Sequence, residues 1–451
     1  VEHAVEKGQK VKKGRRRVRP WLLLLAVMLL LGGCASNNAD SGNDTATSES
    51  SSKAEEGTGT ADKGSDSTAS PKSDTDSGTA SDREPKSTET VPENQPDPQA
   101  GMLTAGEWND LAKWADWEKL NTRPEVAQMR NYWSFHRFDK LDVQVTGGGK
   151  PVADAIIRVI GDNGQSVWES RTNAAGSAAA YAGLLDAQSG QGKYLVEVES
   201  QGQLKRYENV PIPRDGMLKV ELDQTPKAAS DKVDLMLVVD TTGSMDDELA
   251  YLQTELKDVV EQVAQDNGNQ LHIRVSTNFY RDQGDDYVVR PFPFTENINT
   301  AVKQIGEQEA HGGGNFPEAV DQALDDAING HEWSKDALAR LMFLVLDAPP
   351  HHTGAVTDNI KRLTQEAAAQ GIRVIPVVSS GADKNTEYLM RFMSVATGGT
   401  YLFLTDHSGI GRDHMEPTVG EYEVKPLNDL LVEVINRYTR AQSAANGNGI
   451  E

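Results

Sequence analysis

From position 231 onward the apolar residues come in two rhythms. Short apolar-rich runs lie at 233–239, 271–279, 341–346, 372–378 and 401–404, and the segments between them repeat their apolar residues every three or four positions. In the first of those segments Leu249, Leu252, Leu256, Val259 and Val263 share one stripe of a helix. Residues 357–370 read as another helix, stopped by Gly371, a residue suited to the left-handed turn that closes helices. Strands that are apolar throughout, separated by helices, predict a mostly parallel sheet covered on both faces. The expected fold of residues 231–441 is therefore α/β and doubly wound.

Upstream the period changes. Across 139–226 apolar and polar residues alternate between the turn signals GGGKP, GDNGQ and TNAAG, which predicts a small β-sandwich. The order of its parts, with "GKPVADA" and "TNAAGSA" each following a strand, resembles carboxypeptidase-regulatory-like, immunoglobulin-like domains, modules that mostly space or present other domains. Residues 101–138 concentrate Trp108, Trp114, Trp117, Tyr132, Trp133 and Phe135. Trp114 and Trp117 share a helical face with Leu111 and Leu120, so this segment is expected to be a helix packed on the next domain; an exposed aromatic binding stripe is the alternative.

The rest of the chain is not expected to fold. Residues 35–100 hold no aromatic, Leu or Ile, and Val91 is their one branched aliphatic, so 34–100 is read as a disordered acidic tether with a reach on the order of 45 Å. Residues 442–451 are read as a flexible tail. At the other end, eight Lys or Arg in 7–19 precede an eleven-residue apolar run at 21–31. That run is short for a membrane span, which needs about 20 residues, and it fits the core of an export signal. "LGGC" resembles the lipobox of bacterial lipoproteins, which implies a signal peptide over 1–33, a lipid on Cys34 and a location on the outer face of a bacterial membrane. Loss of 1–33 would move the formal charge from −23 to −29, and so acidic a surface argues against a nucleic-acid partner.

Chemistry concentrates in "VDLMLVVDTTGSMDDE", residues 233–248. Ligands of open parallel sheets bind beyond the carboxyl ends of the strands, and Asp240 ends the first strand there. Asp240, Thr242 and Ser244 alternate, so one turn can aim three hard oxygens inward, a donor set for Mg²⁺, Mn²⁺ or Ca²⁺ rather than Zn²⁺. Asp246, Asp247 and Glu248 follow in what reads as the first turn of a helix, where acids complement the macrodipole. Asp282, Asp285 and Asp286 read as a solvated hairpin tip, and His351, His352, His407 and His414 as loop histidines.

An Asp-x-Thr-x-Ser after an apolar strand resembles the metal-ion-dependent adhesion site of von Willebrand factor type A domains, a likeness that runs from 231 to about 440. The resemblance implies that Thr242 and Ser244 bind the cation directly, that Asp240 acts largely through water, and that Asp347, at the end of "LMFLVLD", is water-mediated too. It also implies a threonine where "HGGGNFPEAV" has Gly314; Asn315 could offer a carbonyl oxygen instead. Asp247 and Glu248 match the acids that place a second cation in some integrins.

Three functions follow from these readings. The first is a surface-tethered, non-enzymatic binding module whose cation, Mg²⁺ before Mn²⁺ or Ca²⁺, is completed by an Asp or Glu carboxylate of a protein partner. The second is a structural or sensory lipoprotein whose type A domain has lost its metal, for which Gly314 speaks. The third is a serine hydrolase using Ser244. "TTGSM" lacks the flanking glycine of a nucleophile elbow, and "HEWSK" is not a zinc-protease motif.

Overall fold

The computed structural model describes residues 97–185, 192–223, 230–266 and 270–440. The expected signal peptide, Cys34, the tether up to residue 96 and the C-terminal tail lie outside the described residues. Strand β1 (Thr104–Trp108) is followed by helices α1 (Trp114–Leu120) and α2 (Pro124–Tyr132). Next come β2 (Asp139–Gly147), β3 (Lys150–Pro151), β4 (Ile156–Ile160), β5 (Ser166–Arg171), β6 (Ser177–Ala182), β7 (Gly192–Ser200), β8 (Gln203–Ile212) and β9 (Leu218–Leu222). The C-terminal part runs β10 (Lys232–Asp240), α3 (Leu249–Asp266), β11 (His272–Tyr280), β12 (Val289–Pro291), α4 (Ile298–Gly306), α5 (Val320–Asn329) and β13 (Ala339–Leu346). It continues with α6 (Gly354–Gln370), β14 (Ile372–Val378), α7 (Lys384–Thr397), β15 (Tyr401–Leu404), β16 (Val424–Pro426) and α8 (Leu427–Thr439).

The large sheet has the order β12-β11-β10-β13-β14-β15-β1-β16, parallel from β11 to β15 and antiparallel at both ends. Alternate residues of β10 serve its two faces. Leu235, Leu237 and Val239 pack with residues of α3, α4 and α8, and Met236 and Val238 with residues of α5, α6 and α7. This double burial explains why the strand reads as an almost continuous apolar run. Helix α6 does end at Gly371, whose φ of 73° is left-handed. Among the described residues no helix is long and apolar enough to cross a membrane.

Residues 101–138 depart from the expected purely helical segment. Thr104–Trp108 is a strand of the large sheet, inserted between β15 and β16. Gly106 makes this insertion possible, because a Cβ there would come within 2.5 Å of the Phe403 ring and 2.7 Å of the Tyr422 ring. Beyond it, Trp114 of α1 meets Tyr181 of the next domain with ring centroids 6.5 Å apart, but the segment packs on α7 of the C-terminal part as well: Trp117 stacks on Tyr388 at 5.8 Å, and Phe135, past the end of α2, on Phe392 at 3.4 Å. Asp110 and Arg391 form a buried ion pair of 2.7 Å beneath them. Strands β2 to β9 make two four-stranded sheets, β3-β2-β6 with β9 paired to β2, and β5-β4-β7-β8. Tyr181 of β6 donates its hydroxyl to the Val395 carbonyl of α7 at 2.9 Å, and the sandwich shares one continuous apolar core with one face of the large sheet.

The chain leaves β10 for β11 on one side and later returns to β13 on the other. The crevice beyond the carboxyl ends of β10 and β13 is thus a topological switch point, the place where open α/β sheets bind ligands.

Candidate metal centre

Asp240 closes β10 and is fully buried. Its Oδ1 accepts the Thr242 N–H at 2.8 Å and the Thr242 hydroxyl at 2.7 Å, whereas its Oδ2 is buried without a hydrogen-bond partner. The Thr242 and Ser244 hydroxyls lie 3.1 Å apart on a single 3₁₀ turn, Gly243–Met245. Asp347, one residue past β13, is buried beside them with Oδ1 likewise unpartnered. Burial pushes the Asp240 carboxyl up to about 6 against the hydrogen bonds from Thr242. Asp347 is driven well above the usual carboxylate range by burial and by the charge of Asp240, with the Ser244 hydroxyl counteracting part of it.

A third carboxylate, Glu318, not among the residues expected from the sequence, faces the same crevice. Its N–H donates to the Pro349 carbonyl at 2.9 Å, which pins its backbone beside the loop that follows Asp347. The side chain is buried and its Oε2 has no hydrogen-bond partner. Burial, together with the charges of Asp240, Asp282, Asp347 and Asp285, pushes it up to about 10. Tyr280, the last residue of β11, places a buried hydroxyl beside Asp240 in the same crevice, its proton held tightly by burial and by the charge of Asp240. Gly313 lets these groups close in: an added Cβ would lie 3.1 Å from Glu318 Oε1 and 3.3 Å from Thr242 Cβ. The signal in the sequence was an acid within reach of the glycine run, but an acid just before a helix also reads as a macrodipole partner.

The other predicted residues fall into three places. Gly314 and Asn315 are exposed, and the Asn315 amide donates to the Pro317 carbonyl at 3.4 Å, so Glu318 is the residue this segment sends inward. Asp246, Asp247 and Glu248 precede α3 rather than forming its first turn, since the 3₁₀ turn displaces the helix start to Leu249. Glu248 meets His414 Nε2 at 2.8 Å and the Ser380 N–H at 3.3 Å. Asp247 has neither oxygen hydrogen-bonded, stands 3.7 Å from Arg412, and is pushed by burial and by Glu248 up to about 6.

Two bland expectations are corrected. Asp282 is buried and bound to His351 Nε2 at 2.6 Å, while Asp285 accepts the N–H groups of Asp282 and Gly313 at 3.1 and 2.8 Å, so two of the three hairpin acids turn inward, one to His351 and the other to the glycine-rich segment. His414 is a buried bridge, its Nδ1 2.8 Å from Asp406 and its Nε2 2.8 Å from Glu248. With both nitrogens facing carboxylates, both are donors and the ring is an imidazolium.

Among the described residues no three His, Cys, Asp or Glu side chains are arranged to hold a metal by themselves. A cation in this crevice therefore needs the hydroxyls of Thr242 and Ser244. The donor set fits one: hard oxygens only, with unpartnered buried atoms on Asp240, Asp347 and Glu318, where an unpaired buried polar group ordinarily costs about 1–3 kcal/mol.

Residues 234–411 match the von Willebrand factor type A domain. The chain is 28 % identical over 188 residues to the "ariadne-like RING finger protein" of Acanthamoeba polyphaga mimivirus; the match covers 38 % of this chain and 18 % of that protein, so this chain spans less than a fifth of it. Among solved structures it is similar to a conserved hypothetical protein, BatB, from Bacteroides thetaiotaomicron, at 13 % identity and a TM-score of 0.32, covering 46 % of this chain and 98 % of that one. The C-terminal part is a von Willebrand factor type A domain with a mostly parallel sheet flanked by helices.

Proposed function

We propose that the type A domain at residues 234–411 is a divalent-cation-dependent protein-binding module, carried on a lipid-anchored protein at the outer face of a bacterial membrane. Domains of this family serve in general as interaction or adhesion modules rather than enzymes. The observation that carries the cation reading is the set of buried carboxylate oxygens without partners around the paired hydroxyls of Thr242 and Ser244. Thr242 and Ser244 would hold the ion directly, with Asp240 and Asp347 behind them. The bound ion would supply a positive point toward which a partner's Asp or Glu carboxylate is drawn. In this reading the Ser244 hydroxyl, 3.1 Å from that of Thr242, is a cation ligand and not a nucleophile.

The test is a thermal melt of the protein titrated with Mg²⁺, Mn²⁺ and Ca²⁺ beside Asp240→Ala. A cation that binds only the native state adds about 2.7 kcal/mol at 100 times its dissociation constant. The proposal requires a saturable rise in the wild type and none in the variant. A flat response in both, up to millimolar cation, would leave the metal-free structural or sensory reading, which the exposed Gly314 at the expected threonine position favours.

A further inference from the structure

We propose that Glu318 is a direct ligand of this cation, in the place for which the sequence offers Gly314 or Asn315, and that it makes the site prefer Ca²⁺ to Mg²⁺. The inference rests on the cation reading above and deepens it. Three observations carry it. Glu318 is only 3 % exposed, and its unpartnered Oε2 has no solvent to turn to. The space a Gly313 Cβ would fill is bounded by both Glu318 Oε1, at 3.1 Å, and Thr242 Cβ, at 3.3 Å, which puts the carboxylate next to the hydroxyl loop. The backbone of Glu318 is bound to Pro349 and paired with Pro350, in the loop just after Asp347, so the side chain is held in place by the same strand end that presents the other acid. Asn315, by contrast, is exposed and turned to the Pro317 carbonyl.

The choice of ion follows from charge and geometry. Mg²⁺ demands near-ideal octahedral coordination and is usually held through one or two carboxylates plus waters, whereas Ca²⁺ takes six to eight oxygens in flexible geometry and gains affinity with ligand charge. Glu318 adds a third buried carboxylate to those of Asp240 and Asp347, which stand behind the Thr242 and Ser244 hydroxyls, so the crevice carries more charge than the one or two carboxylates that usually hold Mg²⁺. A carboxylate in place of a threonine hydroxyl also leaves the ion less positive, so a partner's acid would meet a weaker electrophile here.

Calorimetric titration of the metal-free full chain with Ca²⁺ and with Mg²⁺ tests this, using Glu318→Gln, Glu318→Thr, Asn315→Ala and Asp240→Ala. The wild type should bind Ca²⁺ more tightly than Mg²⁺. Replacing an outer partner of a metal ligand already costs about 10–100-fold, so Glu318→Gln should lose at least about tenfold in Ca²⁺ affinity. Asn315→Ala should lose nothing, and Glu318→Thr should shift preference toward Mg²⁺. A merely structural role is separated by the metal-free melt, which removal of a buried, unpartnered carboxylate should not lower. If both Glu318 variants bind Ca²⁺ like the wild type while Asp240→Ala does not, the cation site stands and Glu318 is not its ligand. If Asn315→Ala loses the ion instead, Glu318 is likewise displaced from the role. If Asp240→Ala also binds normally, or the wild type binds nothing, both proposals fall.

Discussion

Asp240→Asn in metal-free protein should make the fold more stable at neutral and alkaline pH, although it alters the central residue of the site. Asn keeps the Oδ1 that accepts both hydrogen bonds from Thr242 and removes the charge that burial opposes. The Asp240 carboxyl is raised from its ordinary 3.8 to about 6, and each pH unit of such displacement is about 1.4 kcal/mol, so ionised Asp240 costs the metal-free fold about 3 kcal/mol. The sign is set by protons: between those two values the folded chain keeps a proton that the unfolded chain has released, and stability falls as pH rises. The cost is complete above about pH 6 and absent below the ordinary value. Urea denaturation in EDTA should therefore find the variant more stable than the wild type by about 3 kcal/mol near pH 8, with the difference closing as pH falls toward 4. Saturating cation should reverse the order by stabilising only the wild type. A variant less stable than the wild type at pH 8 in EDTA, or a gap that ignores pH, would mean that burial does not penalise the Asp240 charge.

Other parts of the molecule make their own predictions. Asp110→Ala leaves the buried Arg391 without its 2.7 Å partner and should cost about 3–5 kcal/mol by urea denaturation, near the lower end because Glu387 remains 3.4 Å away. His414 has its pKa raised on balance, since Glu248 and Asp406 outweigh the burial that opposes the imidazolium, so its contribution is present below 6.5 and lost as pH rises through the raised value. His414→Gln should accordingly lower the melting temperature near pH 5.5 and matter much less near pH 9. A fragment of residues 231–440 lacks β1 and leaves the edges of β15 and β16 unpaired, so gel filtration should show it aggregating, while a fragment from residue 97 stays monomeric. Cys34→Ala should move the protein from the membrane to the soluble fraction of fractionated cells.

The sequence revealed most where burial on both faces makes a strand self-evident. The central strands lie within a few residues of their expected bounds, and the switch point that holds Asp240 and Asp347 follows from their order. It concealed β1, because TAGEW has no periodicity of its own and becomes a strand only by pairing with β15 and β16, about 300 residues away. Glu318 was hidden for a related reason. A single acid among glycines and a proline gives no sign of being buried until the loop after β13 folds over it. Local chemistry is legible along the chain, whereas convergence from three strand ends is a property of the tertiary fold.

The most direct test of a cation at the centre of this domain is to count it. Equilibrium dialysis of the full chain against Mn²⁺, read by the paramagnetic signal of the free ion, should return one tightly bound ion per chain at neutral pH, displaced by Ca²⁺ and lost in Asp240→Ala. No bound ion in the wild type, or the same occupancy in Asp240→Ala, would show that this crevice is not a cation site.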